Sequence, residues 1–163
     1  MPSSAATNDW NAWLAENAGR FLLFARQQTR CGQDAEDVLQ DSLIETWKRA
    51  GGRPEAALVF ATIRRRAIDL GRRTDRRTQR ERLGDEETPL FILPPEEDEE
   101  AIRLERALKD LPETQREVLT LKFWGGLTFA EVAATLEIPP GTAASRYRLA
   151  IDALRQILTP SLT

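Results

Sequence analysis

Apolar side chains recur every three or four residues through most of the chain, a spacing that predicts helices and leaves no alternating pattern typical of strands. The first stripe includes Trp13 and Phe24 and ends at a break over residues 31–33. A second stripe follows from Asp34, the expected N-cap, to Arg49. Its inner positions are Ala35, Val38, Leu39, Ser42, Leu43, Thr46 and Trp47. Two helices are therefore expected at the start of the chain.

A third helix is expected from near Pro54, where a proline suits the first helical turn, to Arg73 or beyond. Its inner side comprises Leu58, Phe60, Ala61, Ile63, Ala67, Ile68 and Leu70. Helical spacing resumes from Ala101 to Lys109 and again from Pro112 to Trp124. These patterns together predict an all-α fold.

The segment from Leu127 to Leu154 has the form of two short helices joined by a tight turn. Thr128 and Glu131 have the spacing of a capping box, which predicts a helix start just after a pair of glycines. The run Ile-Pro-Pro-Gly at 138–141 interrupts that helix, and Thr142 is the expected cap of the next one. The expected buried positions are Val132, Ala133 and Leu136 in the first helix and Ala143, Tyr147, Ala150, Leu154 and Leu158 in the second.

The second of these helices presents Arg146 and Arg148 near its start. A protruding helix with basic residues fits the major groove of DNA, so the segment favours a helix-turn-helix. An ordinary helical hairpin with a solvated basic face remains an alternative on this segment alone.

The net charge of −3 hides two blocks of opposite sign. Residues 60–82 hold nine arginines and three acids, a net charge of +6, whereas residues 84–100 hold eight acids and no base. The acidic block contains three prolines and is expected to be a linker, with the apolar island Leu90–Leu93 docking on a neighbouring surface. The domains expected are therefore 8–80 and 101–160, joined by an acidic flexible linker at 81–100. A basic patch of this size indicates a polyanionic partner despite the acidic total.

Composition argues against an enzyme. The chain has no histidine, Cys31 is its single cysteine, and no glycine-rich phosphate loop is present. No catalytic residue, metal or cofactor is therefore expected. The chain has no apolar run long enough to cross a bilayer and no secretory signal pattern, so cytoplasmic residence is expected.

Four stretches, in this order, carry a likeness to a known family. They read DAEDVLQDSLIETWKR (34–49), IRRRAIDLGRRTDRR (63–77), LPETQREVLTLKFWGGLTFAEVA (111–133) and GTAASRYRLAIDALR (141–155). The chain resembles bacterial RNA polymerase sigma factors of the extracytoplasmic-function (ECF) type. The resemblance implies a region 2-like helical bundle that binds core polymerase and opens the minus-ten element. It also implies a region 4-like helix-turn-helix that reads the minus-thirty-five duplex.

The resemblance also assigns candidate residues. Binding to core RNA polymerase is implied for one face of the second helix, made of Asp37, Gln40, Asp41, Ile44 and Lys48. Contact with promoter DNA is implied for Arg64, Arg65, Arg66, Asp69, Arg72, Arg73, Arg76, Arg77, Thr142, Ala144, Ser145, Arg146 and Arg148. An anti-sigma factor is a possible further partner, and no membrane insertion is expected.

The chain departs from the family pattern at several of these positions. Arg65 stands where the family commonly has an asparagine, and basic residues common in its recognition helix are replaced here by Ala144, Leu149 and Ile151. Two other functions remain open on the sequence. One is a helix-turn-helix regulator that never touches polymerase, and the other is a sigma-like protein-interaction module that does not direct initiation.

Overall fold

A computed structural model describes the backbone of residues 4–78 and 99–158 and the side chains of residues 10–72, 99 and 102–158. All regular secondary structure in these ranges is helical, which confirms the all-α prediction for the described part of the chain. The helices are α1 (Ser4–Gln28), α2 (Gly32–Ala50), α3 (Ala56–Thr78), α4 (Glu99–Asp110), α5 (Glu113–Leu119), α6 (Phe129–Leu136) and α7 (Pro140–Leu158). The island Leu90–Leu93 and most of the predicted linker lie outside the described residues.

Helix α2 begins two residues before the predicted N-cap. Cys31 is the N-cap, and its Sγ accepts a hydrogen bond from the backbone N–H of Asp34, so the prediction for Asp34 is wrong. Gly51 ends the helix at φ 68°, a left-handed conformation that glycine adopts without a steric penalty. The predicted inner stripe is confirmed, with Ala35, Val38, Ser42, Leu43 and Thr46 buried and Leu39 and Trp47 half-buried.

Helix α3 packs its apolar side against α1 and α2. The Phe60 ring meets the rings of Phe21 and Phe24 edge to face, with centroids 4.9 and 5.5 Å apart. Val59, which the predicted stripe omits, is fully buried, whereas Ile68, predicted to be buried, is exposed. Helix α3 packs on α1, α2 and α6, so its buried face is wider than one stripe and includes Val59, whereas Ile68 lines an open groove between α3 and α6.

Helix α5 continues into a π-helical turn over Thr120–Trp124. The wider turn brings the backbone of Gly125 close to Leu121, so that a Cβ at Gly125 would lie 2.4 Å from the Leu121 carbonyl oxygen. Gly126 then takes φ 69° and ends the turn. The predicted helix stop at this glycine pair is therefore confirmed, and both positions require glycine for different reasons.

The N-terminal and C-terminal helices pack directly on each other. Helix α3 contacts α6, and α1 contacts the π-helical turn. One core cluster runs through both halves, with Phe21 and Phe60 on one side and Leu121, Val132 and Leu136 on the other. The two halves therefore share a continuous apolar core in this arrangement.

Buried polar contacts also cross between the halves. The Gln27 side chain donates a 2.7 Å hydrogen bond to the hydroxyl of Thr120, and both residues are buried. Arg20 Nη1 donates to the carbonyl oxygen of Gly125 at 2.8 Å. These contacts fix the orientation of one half on the other because buried polar groups must keep their partners.

Candidate nucleic-acid interface

The predicted polymerase-binding residues lie on the outer face of α2. Asp37, Gln40, Asp41, Ile44 and Lys48 are all exposed. Ile44 is 55% exposed and is the one aliphatic residue of this face. The face is therefore polar with one apolar residue near its centre, a composition suited to docking on a large protein.

The arginines of α3 that the sequence singled out differ in exposure. The side chain of Arg64 is 22% exposed, that of Arg65 50% and that of Arg66 36%, whereas Asp69 and Arg72 are exposed. The remaining predicted contacts of this helix, the side chains of Arg73, Arg76 and Arg77, lie outside the described residues. We call the described basic residues of this helix, Arg64, Arg65, Arg66 and Arg72, the α3 ridge.

A groove of about 380 Å³ separates this ridge from α6. Arg64, Arg65 and Arg72 line one wall, and Thr135 and Glu137 line the other. Arg64 Nη1 lies 3.9 Å from Glu137 Oε2, so a carboxylate of the C-terminal half faces a predicted DNA-contacting arginine. The packing of the two halves thus covers one side of the α3 ridge.

Ion pairs connect the α3 ridge to α2. Both carboxylate oxygens of Glu45 engage arginines, Oε2 pairing with Arg65 Nη2 and Oε1 with Arg66 Nη2 at 3.0 Å. Asp41 Oδ2 lies 3.9 Å from Arg66 Nη1. The sequence analysis missed Glu45, because pairing between residues 20 positions apart depends on how α2 and α3 pack and leaves no local signal.

The helix-turn-helix has the local geometry that its sequence predicts. The Thr128 hydroxyl accepts from the Glu131 N–H at 3.1 Å, and the Glu131 carboxylate accepts from the Thr128 N–H at 3.0 Å, which confirms the capping box. Val132, Ala133 and Leu136 are buried as expected. Glu137 ends α6 at φ 56°, the one described non-glycine residue with positive φ.

The start of α7 differs from the prediction. The helix begins at Pro140, so Thr142 lies inside its first turn and the prediction that it caps the helix is wrong. Proline suits this place because the first helical residues have no N–H partner within the helix. The predicted inner side is confirmed, with Ala143 and Ala150 fully buried and Tyr147, Leu154 and Leu158 half-buried.

The predicted duplex-contacting residues occupy the outer side of α7 and its edges. Ser145 and Arg148 are exposed, whereas Thr142, Ala144 and Arg146 are half-buried. Leu149, where the family commonly has a basic residue, is 55% exposed. The exposed surface of this helix therefore carries less positive charge than the α3 ridge.

A buried carboxylate links the two predicted DNA-contacting helices. Burial raises the pKa of Glu117, which accepts a 2.8 Å hydrogen bond from Gln28 of α1. The charges of Arg64 on α3 and Arg146 on α7 act in the opposite direction on this pKa. The fold therefore brings one arginine from each predicted DNA site near the same carboxylate, a grouping that no local sequence pattern predicts.

Among the described residues, no cluster of three or more potential metal-ligating side chains is present. Within the same ranges, no helix combines the length and apolar character needed to cross a bilayer.

Two family models cover both halves of the chain. The sigma-70 region 2 model matches residues 14–77, and the sigma-70 region 4 model matches residues 101–154. The ECF RNA polymerase sigma factor RpoE of Cereibacter sphaeroides is 36% identical over 140 residues, which cover 82% of this chain and 77% of that protein. The RNA polymerase sigma-E factor of Streptomyces avermitilis is 32% identical over 152 residues, covering 92% of this chain and 85% of that protein.

Solved structures show the same fold. The sigma factor RpoE from Bartonella quintana, in complex with the anti-sigma factor NepR, matches with a TM-score of 0.73 at 23% identity, covering 94% of this chain and 98% of that chain. CnrH in complex with the cytosolic domain of CnrY matches with a TM-score of 0.58 at 22% identity, covering 93% of this chain and 88% of that chain. Family models, relatives and fold agree, and the chain belongs to the RNA polymerase sigma factors of the sigma-70 family, in the ECF group.

Proposed function

We propose that this chain binds core RNA polymerase and directs it to a set of promoters, contributing no catalytic residue of its own. The observation that carries the proposal is the presence, on one short chain, of an exposed polymerase-type face on α2, an arginine ridge on α3 and a capped helix-turn-helix. A regulator acting without polymerase would leave the first of these without a role.

Each described surface has a part in this proposal. Asp37, Gln40, Asp41, Ile44 and Lys48 dock on the polymerase. The α3 arginines hold the non-template strand of the minus-ten element after its bases unstack, because a basic groove suits a single-stranded polyanion.

The outer side of α7 reads the minus-thirty-five duplex. Arg146 and Arg148 suit guanine edges and phosphates alike, and Thr142, Ala144 and Ser145 complete the contact surface. Residues 8–80 and 101–160 act as the two domains and 81–100 as the tether between them. The proposed location is the cytoplasm, where core polymerase and promoter DNA are found.

The two domains must separate to carry out this function. The centres of the two promoter elements lie about 25 base pairs apart, or about 85 Å along a duplex. A compact chain of 163 residues has a radius of gyration of only about 15 Å. The 20 residues between α3 and α4 reach about 66–72 Å when fully extended, which with the width of the domains spans the elements. The packed arrangement is therefore a closed form that opens on the way to a promoter.

A closed form offers a natural point of control. One solved structure of similar fold is a sigma factor in complex with an anti-sigma factor, the other is CnrH in complex with the cytosolic domain of CnrY, and both likenesses cover more than nine-tenths of this chain. We extend this to the present chain and propose an anti-sigma factor that binds the closed form and keeps the domains together.

In vitro transcription with purified core polymerase and genomic DNA fragments tests the proposal. Promoter-specific transcripts that depend on the added chain are expected. DNA binding without transcripts would support the regulator instead, and neither binding nor transcripts would leave only a protein-interaction module.

Paired variants separate the two surfaces. Asp37→Ala with Gln40→Ala should weaken association with core polymerase and leave the fold intact, since both side chains are exposed. Arg148→Ala should leave polymerase binding unchanged and weaken promoter binding by about 1–3 kcal/mol if it reads a base edge. Unchanged polymerase affinity in the α2 variant would refute the docking assignment.

A further inference from the structure

The carboxylate of Glu45 joins two consecutive arginines of the α3 ridge. Its Oε1 accepts a 3.0 Å hydrogen bond from Arg66 and its Oε2 a hydrogen bond from Arg65. The Glu45 side chain is 26% exposed, while those of Arg65 and Arg66 are 50% and 36% exposed. Each arginine side chain therefore contacts Glu45 while part of it stays exposed to solvent.

The side chains of consecutive helical residues normally point in different directions. Neighbouring side chains on a helix point about 100° apart, and two positive groups held close to each other repel. A single carboxylate between Arg65 and Arg66 removes both difficulties. Partial burial acts to raise the pKa of Glu45, but the charges and hydrogen bonds of the two arginines outweigh it, so this pKa lies below its ordinary value.

Glu45 is better placed for this role than its neighbour Asp41. Asp41 lies 3.9 Å from Arg66, but its side chain is 62% exposed and belongs to the proposed polymerase-binding face. A partner that engages Asp41 removes it from Arg66. Glu45 lies one helical turn further on, is less exposed, contacts both arginines and is not part of that face.

We propose that Glu45 is a positioning residue that holds Arg65 and Arg66 side by side on the DNA-facing ridge and thereby sets how well the chain distinguishes promoter DNA from other DNA. This inference rests on the proposed function. Held arginines present their free N–H groups in one geometry, which favours one arrangement of strand and bases. Released arginines contact any polyanion, because phosphate attraction carries no sequence information.

The test compares Glu45→Gln with Glu36→Gln. Glu36 is exposed, lies on the same helix, and stands nine residues earlier, which places it on the opposite side of α2. Both variants lose one negative charge, so they share any effect of net charge. Each full-length variant is assembled with core polymerase, and its affinity is measured for a promoter fragment and for a scrambled fragment of equal length, between about 50 and 200 mM salt.

Glu45→Gln should bind the scrambled fragment more tightly, and its plot of log affinity against log salt should steepen by about 1–2, the effect of one or two added phosphate contacts. The ratio of promoter to scrambled affinity should fall about fivefold or more, as expected for a misplaced contact. Glu36→Gln should keep the wild-type ratio. In a chain that already carries Arg65→Gln and Arg66→Gln, the Glu45→Gln change should have no further effect.

An unchanged slope and ratio in Glu45→Gln would overturn the inference, and so would equal changes in Glu36→Gln or a full effect in the arginine-free background. Thermal unfolding of each variant, followed by circular dichroism, verifies that the helices are intact. Loss of promoter preference in the wild-type holoenzyme would instead overturn the proposed function, so the two failures are distinguishable.

Discussion

The hydrogen bond between Gln27 and Thr120 offers a direct way to shift the balance between the proposed closed and open forms. Both residues are buried, their side chains meet at 2.7 Å, and the bond crosses between the two halves of the chain. Thr120→Val keeps the shape of the side chain and removes the acceptor. The Gln27 amide then remains buried without this partner, which costs the closed form about 1–3 kcal/mol.

A change of this size lowers the ratio of closed to open molecules about 5- to 150-fold. Thr46→Val is the matched control, because Thr46 is equally buried but its hydroxyl donates to Ser42 and Leu43 carbonyls within α2. The effect of the control should fall on the stability of the N-terminal helices and not on the contact between the halves.

Fluorescence energy transfer between the halves measures the opening. Cys31 is exposed and is the only cysteine, so it takes one dye, and Gln156→Cys on the exposed side of α7 takes the second. During a urea titration, Thr120→Val should lose energy transfer at lower urea than the wild type, before far-UV circular dichroism reports loss of helix. If energy transfer and helicity fall together at one urea concentration in every variant, the halves form one cooperative unit and the reasoning is refuted.

Three further outcomes follow from single positions. Gly125→Ala should lower the melting temperature, because its Cβ would lie 2.4 Å from the Leu121 carbonyl, whereas Gly141→Ala, with open space around the Cβ, should raise stability by about 0.5–1 kcal/mol. Burial raises the pKa of Glu117, so the folded chain binds a proton at this carboxyl more tightly than the unfolded chain does. Protonation of Glu117 therefore stabilises the fold fully below the ordinary glutamate pKa, and this stabilisation is lost as pH rises through the raised pKa of the folded chain. The stability difference between wild type and Glu117→Gln, measured by urea unfolding between pH 4 and 7, should therefore shift against the wild type as pH rises.

Local features of this chain are readable from sequence because their causes lie within a few residues. The Thr128–Glu131 capping box and the glycine stop before it depend on side chains three positions apart or on a single φ. The two wrong predictions of helix caps also have local causes. Asp34 and Thr142 have suitable side chains, but Cys31 and Pro140 allow each helix to begin earlier.

Contacts between helices cannot be predicted from such local sequence patterns. Burial of Val59 and exposure of Ile68 depend on which helices flank α3, and the pairing of Glu45 with Arg65 depends on how α2 and α3 cross. The polar contacts between the halves join residues about 90 or more positions apart. Periodicity predicts which side of a helix is apolar, and only the tertiary packing decides what that side meets.

The apolar core that runs through both halves constrains how this molecule works. Side chains such as Val132 and Leu136 are buried here, and water would meet some of this cluster if the halves simply drifted apart, at about 1.5–3 kcal/mol for each fully exposed large side chain. Separation of the halves without a partner is therefore unfavourable in free energy. We therefore expect opening to be coupled to binding, with polymerase or promoter DNA covering the apolar side chains that the two halves cover for each other in the closed form.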